Sequence, residues 1–410
     1  MSLPPRPKGR SWWLSGADGA SPPAPGGDLP PLYTRDFLLA SVAAFTGFGS
    51  MYLLLASLPL YVLALGGKTA DVGLVMAIYT LAAVVARPFM GRALSGGRKP
   101  MMIVGALGMA GSIALYLLPL GLAGFFGVRA LHGLVWAAWS TAAATYVTDI
   151  APPQRRGEAM GAYGISFNLA MVVAPGIGLA VAQASWPMLF GITAALALVT
   201  AGLCALLPEP PRHAAPGRVP LISREALLPS SIMALFALSY GGLVSFVPLF
   251  APERALPGAG WFFATYAIAL MVSRQAAGKL SDRFGRTLMV LPGLLAAAGS
   301  LFWLSTTHSS LGFLGSAALY GLAFAMIQPA LMAMAIDRAG SESPGHRGAA
   351  MATFSLAMDL GIGLGSFGLG LVAAASGIPG MFGLSAVLCL GAIAIYQLGQ
   401  KKAGGGVARN

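Results

Sequence analysis

One acidic side chain lies deep inside an apolar stretch of the chain. The sequence has 13 Asp and Glu residues, and all but Asp359 fall in the tails, in loops or near the ends of apolar stretches. Asp359 comes about 12 residues after Arg347, which is roughly 18 Å along a helix. A carboxyl group among apolar side chains can bind a proton and release it as water gains or loses access. Asp359 is therefore a candidate proton carrier; the alternative is a structural aspartate that stays protonated or hydrogen-bonded throughout.

A basic pair lies inside another apolar stretch, in the segment GVRALHG at 127–133. A charge such as Arg129 within lipid costs about 2.5–3.5 kcal/mol or more and usually has a function, although an arginine that only packs against backbone carbonyls is the alternative. His132 follows one helical turn later. It is a candidate proton relay, against the alternative of an ordinary hydrogen-bonded polar residue.

The elements that must position these side chains are membrane-spanning helices. The 410 residues are 57% hydrophobic and 9% charged, with a mean hydropathy of +0.76, which is typical of a membrane protein rather than of soluble domains. A spanning helix needs about 20 mostly apolar residues. The sequence predicts an all-α membrane protein with twelve such helices, at roughly 37–65, 72–93, 100–119, 122–149, 157–181, 186–207, 227–250, 259–280, 287–305, 310–336, 348–375 and 378–399.

The net charge of +12 sets the orientation of these helices. If the N-terminal tail is cytoplasmic, twenty basic residues fall on that side, and only Lys68 and Arg254 fall on the other. This is the positive-inside pattern, which predicts a multi-pass protein of the cell (inner) membrane with both termini in the cytoplasm. Because the charge is explained by orientation in the lipid bilayer, no nucleic-acid partner is expected.

Composition divides the chain into two sets of six helices. Residues 1–34 are rich in Pro, Gly and Ser and are predicted to form a disordered cytoplasmic tail. The predicted bundles are 35–207 and 227–400, joined by a cytoplasmic linker at 208–226 and followed by a cytoplasmic tail at 401–410. Cys204 and Cys389 lie in apolar stretches, so neither a disulfide, a metal site nor a cofactor is expected.

The two halves repeat one another. Arg87 precedes Arg274 by 187 residues, and the same offset separates Gly73 from Gly260, Tyr79 from Tyr266 and Gly91 from Gly278. RGEAMGAYG (156–164) recurs as RGAAMATFS (347–355), which makes Asn168 the equivalent of Asp359. Parallel six-helix repeats are a signature of transporters, whose substrate site lies near the membrane midplane between the halves.

The segment GKLSDRFGRT (278–287) places several charges in a short loop between the eighth and ninth predicted helices. It resembles the loop motif of the major facilitator superfamily, and its first-half counterpart GRALSGGRKP carries Ser95 where the aspartate is usual. The resemblance covers about 35–400 and implies two pseudo-symmetric six-helix bundles. It also implies a cytoplasmic latch that breaks when the halves rock, with the alternative that these charges only fix topology. The latch residues it implies are Gly91, Arg92, Arg98, Asp149, Arg156, Gly278, Asp282, Arg283, Gly285 and Arg286.

Two further segments resemble the drug:proton antiporters of that superfamily. Arg129 and Gly133 match an arginine-x-x-x-glycine element of the fourth helix, and the APGIG segment with Pro175 and Gly178 resembles a glycine-proline bend in the fifth. Ala174 replaces the usual first glycine there, and ordinary helix packing explains the segment almost as well.

The resemblance also implies which helices line a substrate cavity. The candidate lining residues carry few charges, which favours apolar or amphipathic molecules, although aromatic residues at helical spacing are more often core. They are Tyr52, Trp136, Trp139, Tyr146, Asn168, Tyr240, Phe324 and Gln328.

The leading hypothesis is a secondary active transporter that works by alternating access. It would export hydrophobic or cationic, drug-like small molecules in exchange for protons, as a monomer, with Asp359 as the proton carrier and Arg129 as its electrostatic counterpart. A proton-linked carrier of a sugar or another metabolite is the runner-up, and a non-transporting receptor is a third alternative. An enzyme is not expected, because the sequence lacks clustered carboxylates, metal-ligand spacing and a nucleophile with its base.

Overall fold

The computed structural model describes residues 30–93, 97–152, 155–210, 222–284, 287–338 and 344–407, and the regular elements within these ranges are helical. A short 3-10 turn, Leu115–Leu117, follows the fourth helix. The helices are α1 (Arg35–Leu55), α2 (Leu58–Ala64), α3 (Thr69–Ala93), α4 (Arg98–Ala114), α5 (Gly121–Ile150), α6 (Arg156–Ala184), α7 (Trp186–Leu206), α8 (Leu227–Glu253), α9 (Ala259–Phe284), α10 (Thr287–Thr306), α11 (Ser310–Arg338) and α12 (Pro344–Val407).

Local sequence explains where several helices begin and end. The Thr34 hydroxyl accepts a hydrogen bond from the Phe37 backbone N–H, at 3.3 Å, and so caps α1. Ser185 caps α7 in the same way, through the Met188 N–H at 3.3 Å. The first predicted span, 37–65, is broken between α1 and α2, where Pro59 lies in the first turn of the new helix.

Ten stretches of the described residues are long and apolar enough to cross a membrane, which confirms the predicted all-α membrane fold. α12 is 64 residues long and has a single non-helical position, Gly377, with φ 79° and ψ 164°. This break falls between the predicted spans 348–375 and 378–399. The predicted number of twelve membrane-spanning helices stays a prediction. It would be reached if α9 also spans the membrane and if α12 forms two spans that meet at Gly377.

Helices pack mainly within each predicted half. In the first half α1 packs on α6 and α7, while α5 packs on α3 and α4; in the second, α8 packs on α12, and α11 packs on α9 and α10. The halves meet where α3 packs on α12 and where α6 packs on α9. Asp359 on α12 and Arg274 on α9 therefore both belong to helices that face the other half.

The repeat is visible in how the helices cross. Gly133 of α5 lies so close to α3 that a Cβ atom would collide with the carbonyl oxygen of Tyr79. In the second half, Gly321 of α11 lies in the same way against the carbonyl oxygen of Tyr266 on α9. Since Tyr266 is the repeat equivalent of Tyr79, the two crossings are built alike.

We expect Gly133→Ala to lower the thermal stability of the purified protein. The added methyl group must push α3 away from α5, and overpacking of this kind costs about 1–3 kcal/mol. Gly127→Ala is the matched control on the same helix, because a Cβ there has nothing within 4 Å. Unfolding temperatures measured in one detergent should fall for Gly133→Ala alone, and equal values for the two variants would contradict the close crossing.

Candidate functional site

An ion pair joins the two halves of the protein. The Arg87 guanidinium on α3 contacts the Asp359 carboxylate on α12 through Nη2 and Oδ2. The side chains are 31% and 30% exposed, so water can reach the pair although both residues lie within long apolar helices. Asp359 thus faces the other half of the protein rather than the lipid.

The chemistry of this pair follows from its two possible charge states. While Asp359 is ionised, the attraction to Arg87 holds α3 and α12 together. A proton on Asp359 removes the negative charge and leaves Arg87 to find other partners. The pair can therefore convert protonation into a change in the contact between the halves.

The equivalent place in the second repeat carries a different set of charges. Arg274 on α9 is partly buried and donates through Nη2 to Oε1 of Gln328 on α11, at 3.2 Å. The position equivalent to Asp359 is Asn168 on α6, which has no charge. Among the carboxylates whose side chains the structure describes, none forms an ion pair with Arg274.

Aromatic side chains of the second half form one cluster beside Arg274. The Tyr240 ring lies 5.2 Å from Phe324 and 6.2 Å from Tyr266, and Tyr320 stacks on Tyr240 at 6.4 Å. The Tyr240 hydroxyl reaches the sulfur of Met171 in the first half, at 3.7 Å. Phe324 and Gln328 lie one helical turn apart on α11. We call the cluster of Tyr240, Tyr266, Tyr320 and Phe324 the aromatic wall. Its four residues are 0–6% exposed, so in this conformation the two predicted lining residues among them, Tyr240 and Phe324, are buried, and lining a cavity would require the helices to rearrange.

Most of the predicted lining residues of the first half are packed tightly. Tyr52 is 5% exposed and its ring lies 5.6 Å from Phe167. Trp136 is 6% exposed, whereas Trp139 and Tyr146 are fully buried. Trp139 packs 5.4 Å from Phe48. In this conformation Trp139 and Tyr146 are core residues of the first half, and lining a cavity would require a different arrangement of the helices.

Arg129 and His132 are buried together within the first half. The Arg129 guanidinium lies 4.2 Å from the centre of the Tyr79 ring and 3.4 Å from Nδ1 of His132, whose Nδ1 also lies 3.2 Å from the Tyr116 hydroxyl. A cation over an aromatic face is attracted by the ring quadrupole, which offsets part of the cost of burial. Arg129 has no ion pair with a carboxylate in the part of the chain that the structure describes. The ion-pair partner of Asp359 is Arg87, and the predicted role of Arg129 as its electrostatic counterpart stays a prediction without a direct contact.

Two of the predicted latch residues, Arg98 and Asp149, meet near the ends of two helices of the first half, and their role in a latch between the halves stays a prediction. Nε of Arg98 donates to Oδ2 of Asp149 at 2.8 Å, which ties the start of α4 to the end of α5. The Glu209 carboxylate accepts from the Arg98 and Lys99 backbone N–H groups, at 2.7 and 3.0 Å, and so caps α4. Gly285 and Arg286 lie outside the described residues, as do the side chains at Gly91, Arg92, Arg156, Gly278, Asp282 and Arg283.

The predicted bend in α6 is a site of close helix packing. Pro175 lies inside α6, and a Cβ atom on Gly178 would collide with the carbonyl oxygen of Leu53 on α1. The helix remains a single element from Arg156 to Ala184. The packing interpretation of this segment therefore accounts for Gly178.

The halves also touch where α3 and α9 begin. We call this contact surface the outer gate and define it by Gly73, Gly176, Gly260, Ser366 and Gly370. A Cβ on Gly73 would collide with the Ser366 carbonyl oxygen, and one on Gly370 would lie 3.3 Å from the Gly73 Cα. On the α6 and α9 side, a Cβ on Gly260 would lie 3.7 Å from the Gly176 Cα. The charge pattern predicts that this end faces the periplasm.

The sequence pointed to Asp359 as a candidate, but neither its ion-pair partner Arg87 nor the equivalent Arg274 was predicted as a candidate site residue. A signal was present, because of the 25 Lys and Arg residues all but Arg87, Arg129 and Arg274 fall in tails, loops or near the ends of predicted spans. Three cations and one acid inside the spans leave an excess of positive charge that orientation in the membrane does not explain.

Comparison with known proteins places this arrangement in context. Residues 40–345 match the Major Facilitator Superfamily model. The chain is 23% identical over 377 residues to the staphylopine export protein of Staphylococcus aureus (strain Mu50 / ATCC 700699), covering 86% of this chain and 93% of that protein. A similar solved structure is the nucleoside transporter NupG (D323A mutant), with a TM-score of 0.70 and 18% identity, covering 88% of this chain and 100% of that chain. Another is the human organic anion transporter MFSD10 (TETRAN), with a TM-score of 0.68 and 18% identity, covering 90% of this chain and 100% of that chain.

Proposed function

This chain belongs to the Major Facilitator Superfamily, and we propose that it exports a small molecule in exchange for protons by alternating access. Membership makes it a multi-pass membrane transporter and not an enzyme. Export, proton coupling, a monomeric state and an inner-membrane location with cytoplasmic termini are parts of the proposal.

The observation that carries the proposal is the Arg87–Asp359 ion pair between the halves. In this conformation the outer gate is closely packed, and the pair contributes to the same α3–α12 contact. A proton or a cationic group of the cargo that neutralises Asp359 breaks the pair and lets the halves move between the present state and a state that is open at the outer gate. Cargo occupies the site on the outward step and a proton occupies it on the return step, so each export brings a proton to the cytoplasm.

The proposed cargo is a small molecule with an apolar or aromatic part. The aromatic wall of Tyr240, Tyr266, Tyr320 and Phe324 is buried in this conformation and would offer its rings to such a part when the helices rearrange. A cationic group on the cargo would compete with the proton for Asp359. Competition of this kind couples export to proton entry, because one carboxylate cannot hold both. The name of the staphylopine export protein gives independent support for the outward direction.

A second candidate is a proton-linked carrier that brings a sugar or another metabolite into the cell. Gln328 and Asn168 favour it, because uncharged amides suit hydroxyl-rich molecules. The exporter and the metabolite carrier differ in the direction of the proton gradient that drives uptake of cargo into vesicles.

The test is transport into inside-out membrane vesicles whose interior has been acidified. A thermal-shift screen on the purified protein first ranks ethidium, staphylopine and glucose as cargo, because a bound ligand stabilises the folded state. We expect the ranked cargo to accumulate only while the interior is acidic and to leak out when a protonophore is added.

Accumulation that survives the protonophore would contradict proton coupling. Accumulation that requires an alkaline interior would favour the metabolite carrier instead, because cargo and proton would then move in the same direction. Binding without any flux would leave only the receptor alternative.

A further inference from the structure

We propose that Arg274 and Gln328 bind a carboxylate of the cargo, so that the cargo is not a simple cation. This inference rests on the proposed transport function and adds a substrate class to it. It starts from the charge of the region between the halves, where Arg87 forms an ion pair with Asp359 and Arg274 forms none with any carboxylate whose side chain is described. A partly buried cation without an anion is costly, and an anionic ligand would remove that cost.

The internal repeat shows which group is missing. At the outer gate a Cβ on Gly73 would lie 3.0 Å from the Phe367 Cα, and one on Gly260 would lie 3.7 Å from the Gly176 Cα. The offset that pairs Asn168 with Asp359 also pairs Gly176 with Phe367, so the two crossings between the halves share one register. In the first crossing Arg87 meets an acid at position 359. In the second, the repeat places Asn168 opposite Arg274. The protein thus retains the guanidinium in both repeats but supplies its own carboxylate in only one.

The donors around Arg274 suit an oxygen anion. A guanidinium presents N–H groups in a planar fork that matches a carboxylate. Oε1 of Gln328 accepts from Nη2 of Arg274 at 3.2 Å, and this fixes the amide so that its N–H groups are further donors. Phe324 lies one turn before Gln328 and belongs to the aromatic wall, so the apolar part of the same molecule would lie against these rings once the helices rearrange to expose them.

The two charged positions together describe the cargo. A cationic group would exchange with the proton at Asp359, and an anionic group would pair with Arg274. Like charges placed together in a partly dry site repel strongly, so a cargo with cationic groups alone is disfavoured at Arg274. A zwitterionic, amphipathic molecule satisfies both positions.

The experiment compares matched probes rather than one assumed substrate. A panel of aromatic and aliphatic amino acids, dipeptides and their N-acetyl derivatives is tested with each free carboxylic acid beside its own amide, by thermal shift on the purified full-length protein. We expect at least one acid to stabilise the protein while its amide does not. Arg274→Gln should weaken the apparent affinity for that acid by about tenfold or more, as for the loss of a charge-assisted hydrogen bond.

Three variants separate binding from structure. Arg254→Gln removes a cation from the C-terminal end of α8, where Arg254 contacts His308. This variant should keep the preference for the acid. Asn168→Asp supplies an internal carboxylate in the second repeat and should abolish the preference. Without ligand, Arg274→Gln should unfold at the same temperature as the wild type or higher, because it removes an uncompensated charge; a purely structural arginine would give a lower temperature.

The inference is overturned if amides stabilise as well as acids, if no acid in the panel stabilises, or if Arg274→Gln keeps the preference for the acid. These outcomes are distinct from failure of the proposed function, which is decided by the protonophore experiment on the wild-type protein. A carrier that prefers acids but ignores the proton gradient would support the carboxylate site and refute the coupling.

Discussion

Asp359→Asn is expected to reduce proton-driven accumulation to the level of vesicles that lack the protein. Asparagine has nearly the shape of aspartate but cannot bind and release a proton in this range of pH. The step that links the proton to the contact between α3 and α12 is therefore lost. Exchange of cargo down a concentration gradient should persist, because it needs only the movement of the halves, although the affinity for the cargo should fall because its cationic group loses the Asp359 carboxylate.

The controls for this prediction use carboxylates in different settings. Glu158→Gln removes an acid whose pair with Arg155 lies within one half and near one end of α6, and it should leave the gradient dependence unchanged. Asp359→Glu retains a carboxyl group and should retain measurable coupling. Normal proton-driven accumulation in Asp359→Asn would exclude Asp359 as the proton carrier.

A double-mutant cycle tests whether Arg87 is the physical partner. Because each side chain of the pair is about one third exposed, the coupling energy in unfolding experiments should be modest, on the order of 1 kcal/mol. Arg87→Gln combined with Asp359→Asn should be more stable than the sum of the single changes predicts, since neither charge is then left alone. Additive losses would show that the ion pair does not form in the membrane.

The helices could be predicted from the sequence because a membrane-spanning helix requires only a sufficiently long local run of apolar residues. Apolar length alone places most of the spans, and the repeat offset of 187 residues correctly pairs Tyr79 with Tyr266, whose crossings with α5 and α11 are built alike. The break at Ala56–Ser57 was missed, although Pro59 was a visible signal for a new helix start. Local chemistry was sufficient for these features.

The partners of the buried charges were not predictable in the same way. Sequence marks Asp359 as unusual, but whether it meets Arg87 or Arg129 depends on which faces of α3, α5 and α12 come together. The surroundings of the aromatic residues were equally hard to predict, since Trp139 and Tyr240 are both aromatic residues inside apolar stretches of the sequence. The structure packs Trp139 into the core of the first half and brings the Tyr240 hydroxyl to Met171 across the two halves.

Gly73→Ala is expected to hold the outer gate open, whereas Gly260→Ala is not. A Cβ at position 73 would collide with the Ser366 carbonyl oxygen and lie 3.0 Å from the Phe367 Cα, while at position 260 its nearest neighbours are 3.7 and 3.8 Å away. The two glycines are repeat equivalents, so the pair forms a matched test in one protein. A backbone collision costs about 1–3 kcal/mol, which shifts the ratio of closed to open states by about fivefold to more than a hundredfold.

The measurement is the labelling rate of a cysteine placed behind the gate. Thr80 lies about two turns below Gly73 on α3 and faces α12, where a Cβ on Gly363 would lie 2.6 Å from the Thr80 Cβ. The native Cys204 and Cys389 are buried and should give little background. A membrane-impermeant maleimide added from the outside should label Thr80→Cys about tenfold faster or more in the Gly73→Ala protein than in the wild type.

The two alanine variants together decide whether the gate moves or merely packs. Gly260→Ala should label at the wild-type rate, because its methyl group fits the space that exists. If both variants label slowly while remaining folded, α3 and α12 yield locally and the outer contact does not control access. If only Gly73→Ala labels fast and its uptake of cargo from the cytoplasmic side slows, one methyl group has shifted the same equilibrium that the proton on Asp359 is proposed to control.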